Sequence, residues 1–96
     1  MKITAADKKW RAEVIKKYGD FCEYCHSISN LNVHHIFSRR IKCIRHYFPN
    51  GCVLCAKHHL FSTEFSAHQT PLAFAVWIIK RRGQLWYNNL EKKRNE

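Results

Sequence analysis

Trp10, Val14 and Tyr18 fall at i, i+4 and i+8 in an otherwise polar segment, one apolar stripe that predicts an N-terminal helix. Thr4 stands at the N-cap position, with Asp7 three residues on as a capping-box variant, and Gly19 supplies the stop. Residues 20–30 carry no period and read as a turn region. Weak alternation over 31–37, with β-branched Val33 and Ile36, predicts a short strand. Residues 38–50 form a basic loop that ends in the turn signal Pro49-Asn50-Gly51. Cys52, Val53 and Leu54 predict a second short strand, and residues 56–66 a helix. Thr70 as N-cap and Pro71 at N1 open a further helix, which Gly83 ends. Residues 72–79 are apolar nearly all round, so this helix is expected to be buried on most sides. Residues 84–93 predict a last helix with Leu85, Trp86 and Leu90 on its inner side. No repeat, low-complexity segment or linker interrupts the pattern.

A chain of 96 residues has no room for two cores, so the pattern describes a single domain over residues 1–96. Its 46% apolar and 25% charged residues are those of a folded chain rather than a disordered tail. The longest apolar run, residues 71–79, is too short to span a bilayer, so no membrane partner is expected. The start, Met1-Lys2-Ile3-Thr4, lacks the apolar stretch of a secretory leader. Lys plus Arg number 17 against 7 Asp plus Glu, a formal net charge of +10 that favours a polyanion, nucleic acid first. Lys8, Lys9, Arg11, Lys16 and Lys17 make the first helix strongly basic, either as a solvated face or as one that contacts phosphates.

Five Cys and seven His are the other excess. With a secreted disulfide framework disfavoured, metal ligation is the better use for the thiols. Cys22-x2-Cys25 is one close-spaced pair, and the second is either Cys52-x2-Cys55 or Cys55-x2-His58. The latter straddles a strand end and a helix start, brings backbone N–H groups toward the sulfurs, and leaves Cys52 as a small buried residue. Cys22, Cys25, Cys55 and His58 are therefore the expected structural-zinc ligands, and Cys43 is expected simply to be packed. His34 and His35 are adjacent on the first strand. Successive strand residues face opposite ways, so both reach one site only at a strand end or a bulge. His58 and His59 lie about 100° apart on a helix, so each can serve a different site. His34, His35, Asn50 and His59 remain once zinc has its four ligands.

Cys22-x2-Cys25, Val33-His34-His35-Ile36, Asn50 and Leu54-Cys55-x2-His58-His59 together resemble the HNH nucleases, also called His-Me finger or ββα-metal nucleases. The resemblance covers about residues 21–68, and the tail from Phe65 through the helix after Pro71 is similar to small phage-type members. It implies an α+β fold, a small zinc-stapled ββα-metal core with an N-terminal helix and one or two C-terminal helices. It further implies that His34 and His59 ligate a catalytic divalent metal, that His35 is the general base, and that Asn50 holds the base and its loop. The family usually carries Cys where His58 stands. Some relatives have a further His one turn after the His59 position, where this chain has Thr63. Glu64, His68 or water is left to complete that shell, with His68 preferred.

The function so implied is metal-dependent endonuclease hydrolysis of DNA phosphodiester bonds, by nicking or double-strand cleavage, leaving a 5′-phosphate and a 3′-hydroxyl. Imidazole near its ordinary pKa suits a base at neutral pH. Two His ligands suit Mg²⁺, Mn²⁺, Ni²⁺, Co²⁺ or Zn²⁺. Arg39, Arg40, Lys42 and Arg45 are expected to grip flanking phosphates. Double-stranded DNA is the expected partner, with phage packaging or recombination proteins beside it and the cytoplasm of a bacterial host as the setting. The competing reading is a non-catalytic zinc-binding DNA- or RNA-binding module on the same fold.

Overall fold

The computed structural model describes residues 3–96; Met1 and Lys2, half of the start read above as lacking a leader, lie outside the described residues. The α1 helix spans Ala5–Tyr18 with the expected capping box: the Asp7 N–H donates to Thr4 Oγ1 and the Thr4 N–H to Asp7 Oδ2. Gly19 ends it at a φ of 102°, a conformation that suits glycine. The strands β1, Leu31–His35, and β2, Gly51–Cys55, pair antiparallel, with Leu31 opposite Cys55 and His35 opposite Gly51. A short helix α2, Lys42–Arg45, and a 3₁₀ turn at Phe48–Asn50 fill the connection between them. The chain closes with α3, Pro71–Arg82, and α4, Gln84–Arg94, joined through Gly83 alone. The result is a small α+β fold around a two-stranded sheet. No helix among the described residues is long and apolar enough to cross a membrane.

A two-stranded ribbon is not stable by itself and needs cover on its apolar faces. Trp10 and Val14 of α1 pack on Val53, with Val33 and Leu31 at the margin. Gly51 permits that approach, because a Cβ there would collide with Val14 and Trp10. On the other face Cys52 and Leu54 pack with Cys22, Cys55, Ala67, Phe74 and Ile78.

The structure departs from the pattern in five places. The strand stops at His35 rather than residue 37, since Asn50 takes over the pairing of Ile36 and Phe37. The basic loop contains the helical turn α2. The helix expected over 56–66 shrinks to a π-helical turn at Lys57–Phe61, because Ser62 Oγ captures the N–H groups of Glu64 and Phe65. Thr70 precedes Pro71 at N1, but its hydroxyl bonds Ser66 instead of capping α3. Finally, α3 is covered on one side only. Phe74 and Ile78 are buried while Leu72 is 79% exposed, and on α4 Leu90 is buried while Leu85 is 73% exposed. Apolar residues around a helix do not guarantee cover when the domain is too small to supply a second layer.

Two buried carboxylates tie these elements together. Asp7 receives Arg45 through two bonds of 3.0 and 2.7 Å, His46 at 2.8 Å and Arg39 at 3.5 Å. Glu23 receives Arg82 at 3.0 and 2.6 Å and Arg81 at 3.1 Å, and its own N–H pairs with Val53 O. Arg82 also donates to the carbonyls of Pro49 and Gly51 and lies 3.5 Å above the Tyr18 ring. It thereby joins α3, β2, α1 and the Cys22 turn. Hydrogen bonds from Arg45, then from the Thr4 backbone N–H, outweigh burial and hold the Asp7 carboxyl well below the usual carboxylate range.

Removing one partner of such an ion pair strands the others, so Asp7→Asn should cost about 3 kcal/mol at pH 7. Because the folded pKa is depressed, this contribution is full above the unfolded value of about 4 and is lost as pH falls below it toward the folded value. Urea unfolding of both proteins from pH 7 to pH 2 should show the gap narrowing below about pH 4. A gap that is constant with pH would show that the charge of Asp7 is not what stabilises the fold.

Candidate metal centres and their cleft

The turn after α1 brings Cys22 and Cys25 together. The N–H of His26 donates to Cys22 O at 2.8 Å, and His26 takes a φ of 68° to close the turn. Cys55 ends β2, and the π-helical turn presents His58 beside it. The ligand atoms of Cys22, Cys25, Cys55 and His58 all lie within 4.8 Å of one another. Cys25 Sγ to Cys55 Sγ is 3.7 Å, Cys55 Sγ to His58 Nδ1 3.3 Å, and Cys22 Sγ to His58 Nδ1 4.0 Å. Tetrahedral bonds of about 2.0–2.3 Å require donors about 3.3–3.8 Å apart, so the four can hold a metal ion such as zinc. Burial pushes the Cys22 thiol up, but backbone N–H groups of Cys25, Cys55 and Tyr24 outweigh it and the net direction is down, toward thiolate. Tyr24 and Phe65 stack at 3.9 Å beside His58.

Cys52 stands outside this group. It is fully buried on β2 with its thiol 3.6 Å from Glu23 Oε1, and burial pushes its pKa well above the ordinary value. Cys43 is half-buried, and its thiol donates to the carbonyls of Lys93 and Arg94. Of the two pairs left open by spacing, Cys55 with His58 is the one the fold assembles.

A second group consists of His34, His59 and His68, whose ligand atoms also lie within 4.8 Å. His34 comes from β1 and His59 from the π-helical turn. His68 arrives because the chain doubles back: the Ala67 N–H donates to His58 O and the His68 N–H to His59 O. A continuous helix would have carried residue 68 about 13 Å along the axis from residue 59. Glu64, the other protein ligand considered for this shell, is exposed in the intervening turn. Burial, then the charges of neighbouring imidazoles, lower His34 to about 3 and His59 to about 4. Both rings are therefore neutral at pH 7, with lone pairs free for a cation. His59 Nδ1 is buried with no hydrogen-bond partner among the described residues. An orphaned ring nitrogen within a three-imidazole cluster fits a bound cation.

His35, opposite Gly51 at the end of β1, lines the same cleft as His34, His59 and His68, with Ser38 and Arg39 on the rim and a cavity volume of about 470 Å³. Its Nε2 lies 3.1 Å from Arg45 O. A carbonyl only accepts, so Nε2 carries the proton and Nδ1 the lone pair. Burial lowers the His35 pKa, opposed by that hydrogen bond. The loop supplying the carbonyl is closed by Asn50, which is fully buried. Its Oδ1 accepts from the Phe37 N–H at 2.7 Å, and its Nδ2 donates to Phe37 O at 3.0 Å and Ile44 O at 3.3 Å.

The basic residues separate into two kinds. Arg45, expected at phosphates, is engaged with Asp7, a correction that follows from the buried carboxylate on α1. Arg39 touches Asp7 only at 3.5 Å and faces the cleft. Arg40 and Lys42 are exposed, as are Lys8, Lys9, Arg11, Lys16 and Lys17 along α1. Glu23 and Arg82 carry structural weight at this site that no spacing in the sequence signals, and the stripe that marks Trp10 as apolar does not signal its place under His35. Comparison with protein-family models, curated proteins and solved structures returned no match.

Cobalt(II) added to metal-free protein should produce an intense thiolate-to-metal band that Cys25→Ser or His58→Ala weakens or shifts. Cys52→Ser should leave it in place. A spectrum insensitive to His58→Ala but altered by Cys52→Ser would overturn the assignment.

Proposed function

We propose that this protein is a metal-dependent endonuclease of the HNH kind, hydrolysing phosphodiester bonds in DNA, with His35 as its general base. The observation that carries this reading is one cleft holding both a three-imidazole cluster and an adjacent imidazole whose tautomer is set by a backbone carbonyl. Hydrolysis needs a base for the attacking water and an electrophile at the phosphate. His35 Nδ1 accepts the water proton, while Arg45 O holds Nε2–H and stabilises the imidazolium that forms. His34, His59 and His68 would hold the divalent cation, and Asn50 keeps the loop closed. When bound, the cation supplies charge stabilisation at the phosphate and the departing 3′ oxygen. Arg39, Arg40 and Lys42 hold the strand by its phosphates. Cys22, Cys25, Cys55 and His58 would hold zinc, which would fasten the Cys22 turn to the end of β2, from which His59 follows.

A plasmid-nicking assay separates the roles. His35→Ala should lower the rate by about 10² to 10⁴ without rescue by added metal. His34→Ala and His59→Ala should lower metal affinity and recover partly at high metal concentration. Cleavage by His35→Ala at the wild-type rate removes His35 from the chemistry. DNA binding without any metal-dependent cleavage favours the non-catalytic module.

Binding should be electrostatic. Arg40→Ala and Lys42→Ala should each flatten the dependence of log K on log[salt] by about 0.9 if each meets one phosphate. Arg45→Ala should instead lower thermal stability. A salt slope near zero for the wild-type protein would show that the net positive charge serves another partner.

A further inference from the structure

We infer that Trp10 is a positioning residue for His35, a role that rests on the reading of His35 as the base. His35 ends a strand, where the next residue no longer belongs to the sheet and the side chain has two free torsions. The hydrogen bond from Nε2 to Arg45 O fixes one edge of the ring but leaves it free to rock about that bond. Trp10 removes this freedom. The indole lies face to face with the imidazole, ring centroids 3.9 Å apart and planes within 9°.

Trp10 is itself immobilised. It is 2% exposed and packs with Val14 and Val53, and its Nε1–H donates to Tyr47 O at 2.9 Å. Gly51, directly opposite His35 in the sheet, leaves the space that the indole occupies. Tyr47 O and Arg45 O lie two residues apart in one segment. The support for the face of the imidazole and the support for its edge are therefore referred to the same piece of backbone. Asp7 ties that segment to α1 through Arg45 and His46, one helical turn before Trp10. An aliphatic residue could fill the core between α1 and the sheet, but it offers no flat face parallel to an imidazole.

The test compares Trp10→Phe, which keeps a flat face but loses the indole N–H, with Trp10→Leu, which keeps only apolar bulk. Both are assayed well below their unfolding temperatures. Trp10→Leu should lower kcat by about 10- to 100-fold, the cost of a small misplacement of a reacting group, with KM within about twofold. Trp10→Phe should restore most of kcat even if it is the less stable of the two. In parallel, NMR should show the His35 ring protons shifted upfield in the wild-type and Phe proteins, and the shift lost in the Leu protein. An unchanged kcat in Trp10→Leu, or losses that follow stability rather than ring geometry, would overturn the assignment. So would unshifted His35 protons in the wild-type protein. If the wild-type protein does not cleave DNA, the endonuclease reading fails, and the NMR shifts alone then decide whether Trp10 holds the His35 ring.

Discussion

The pairing of β1 with β2 is the constraint on which the rest of this fold depends. The register that sets Leu31 opposite Cys55 and His35 opposite Gly51 places Cys55 and His34, one from each candidate metal cluster. Cys55, at one end of the ribbon, meets the Cys22 turn, whose Glu23 N–H is bonded to Val53 O. His34 and His35, at the other end, project to opposite faces as strand geometry demands. One meets His59 and His68, the other Trp10, and both border one cleft because the strand stops there. A slip of one residue would exchange the two histidines and separate each from its partners.

Such a ribbon is held from outside, and charge does much of the holding. The net charge of +10 suggests a surface given over to cations, yet Arg45, Arg81 and Arg82 are bound to two buried carboxylates. Desolvating an ion pair costs much of what its attraction returns, so these contacts gain most from geometry. Asp7 references α1 to the loop that carries the Arg45 carbonyl. Glu23 references the Cys22 turn to the end of α3. Both ion-pair clusters thereby add fixed geometry to the packing of the apolar core.

The two imidazole environments differ although they are built from one residue type. His34 is kept neutral by burial and then by His59 and His68, and His59 by burial and then by His68, which suits cation binding. His35 is kept neutral by burial but retains a carbonyl partner that opposes the shift, which suits proton transfer. Adjacent residues differ in this way because they lie on opposite faces of a strand.

Much of this was legible in the chain. The capping box of Thr4 and Asp7, the stop at Gly19, the two short strands, Pro71 at N1 and the Gly83 break are local, and local sequence determines them. Cys22, Cys25 and Cys55 were legible because ligand chemistry imposes short spacings, which left Cys52 and His58 as alternatives for the fourth position. The tertiary structure alone decided what depends on distant partners. It chose His58 over Cys52 by turning Cys52 toward Glu23, and it brought His68 to His59 by doubling the chain back at Ser62. It also took Arg45 from the basic loop for Asp7 and put Trp10 beneath His35. Spacing along a chain reports which groups can meet within a turn. Which cation a buried carboxylate takes, and which ring lies under an imidazole, depends on surfaces that exist only after the sheet has formed.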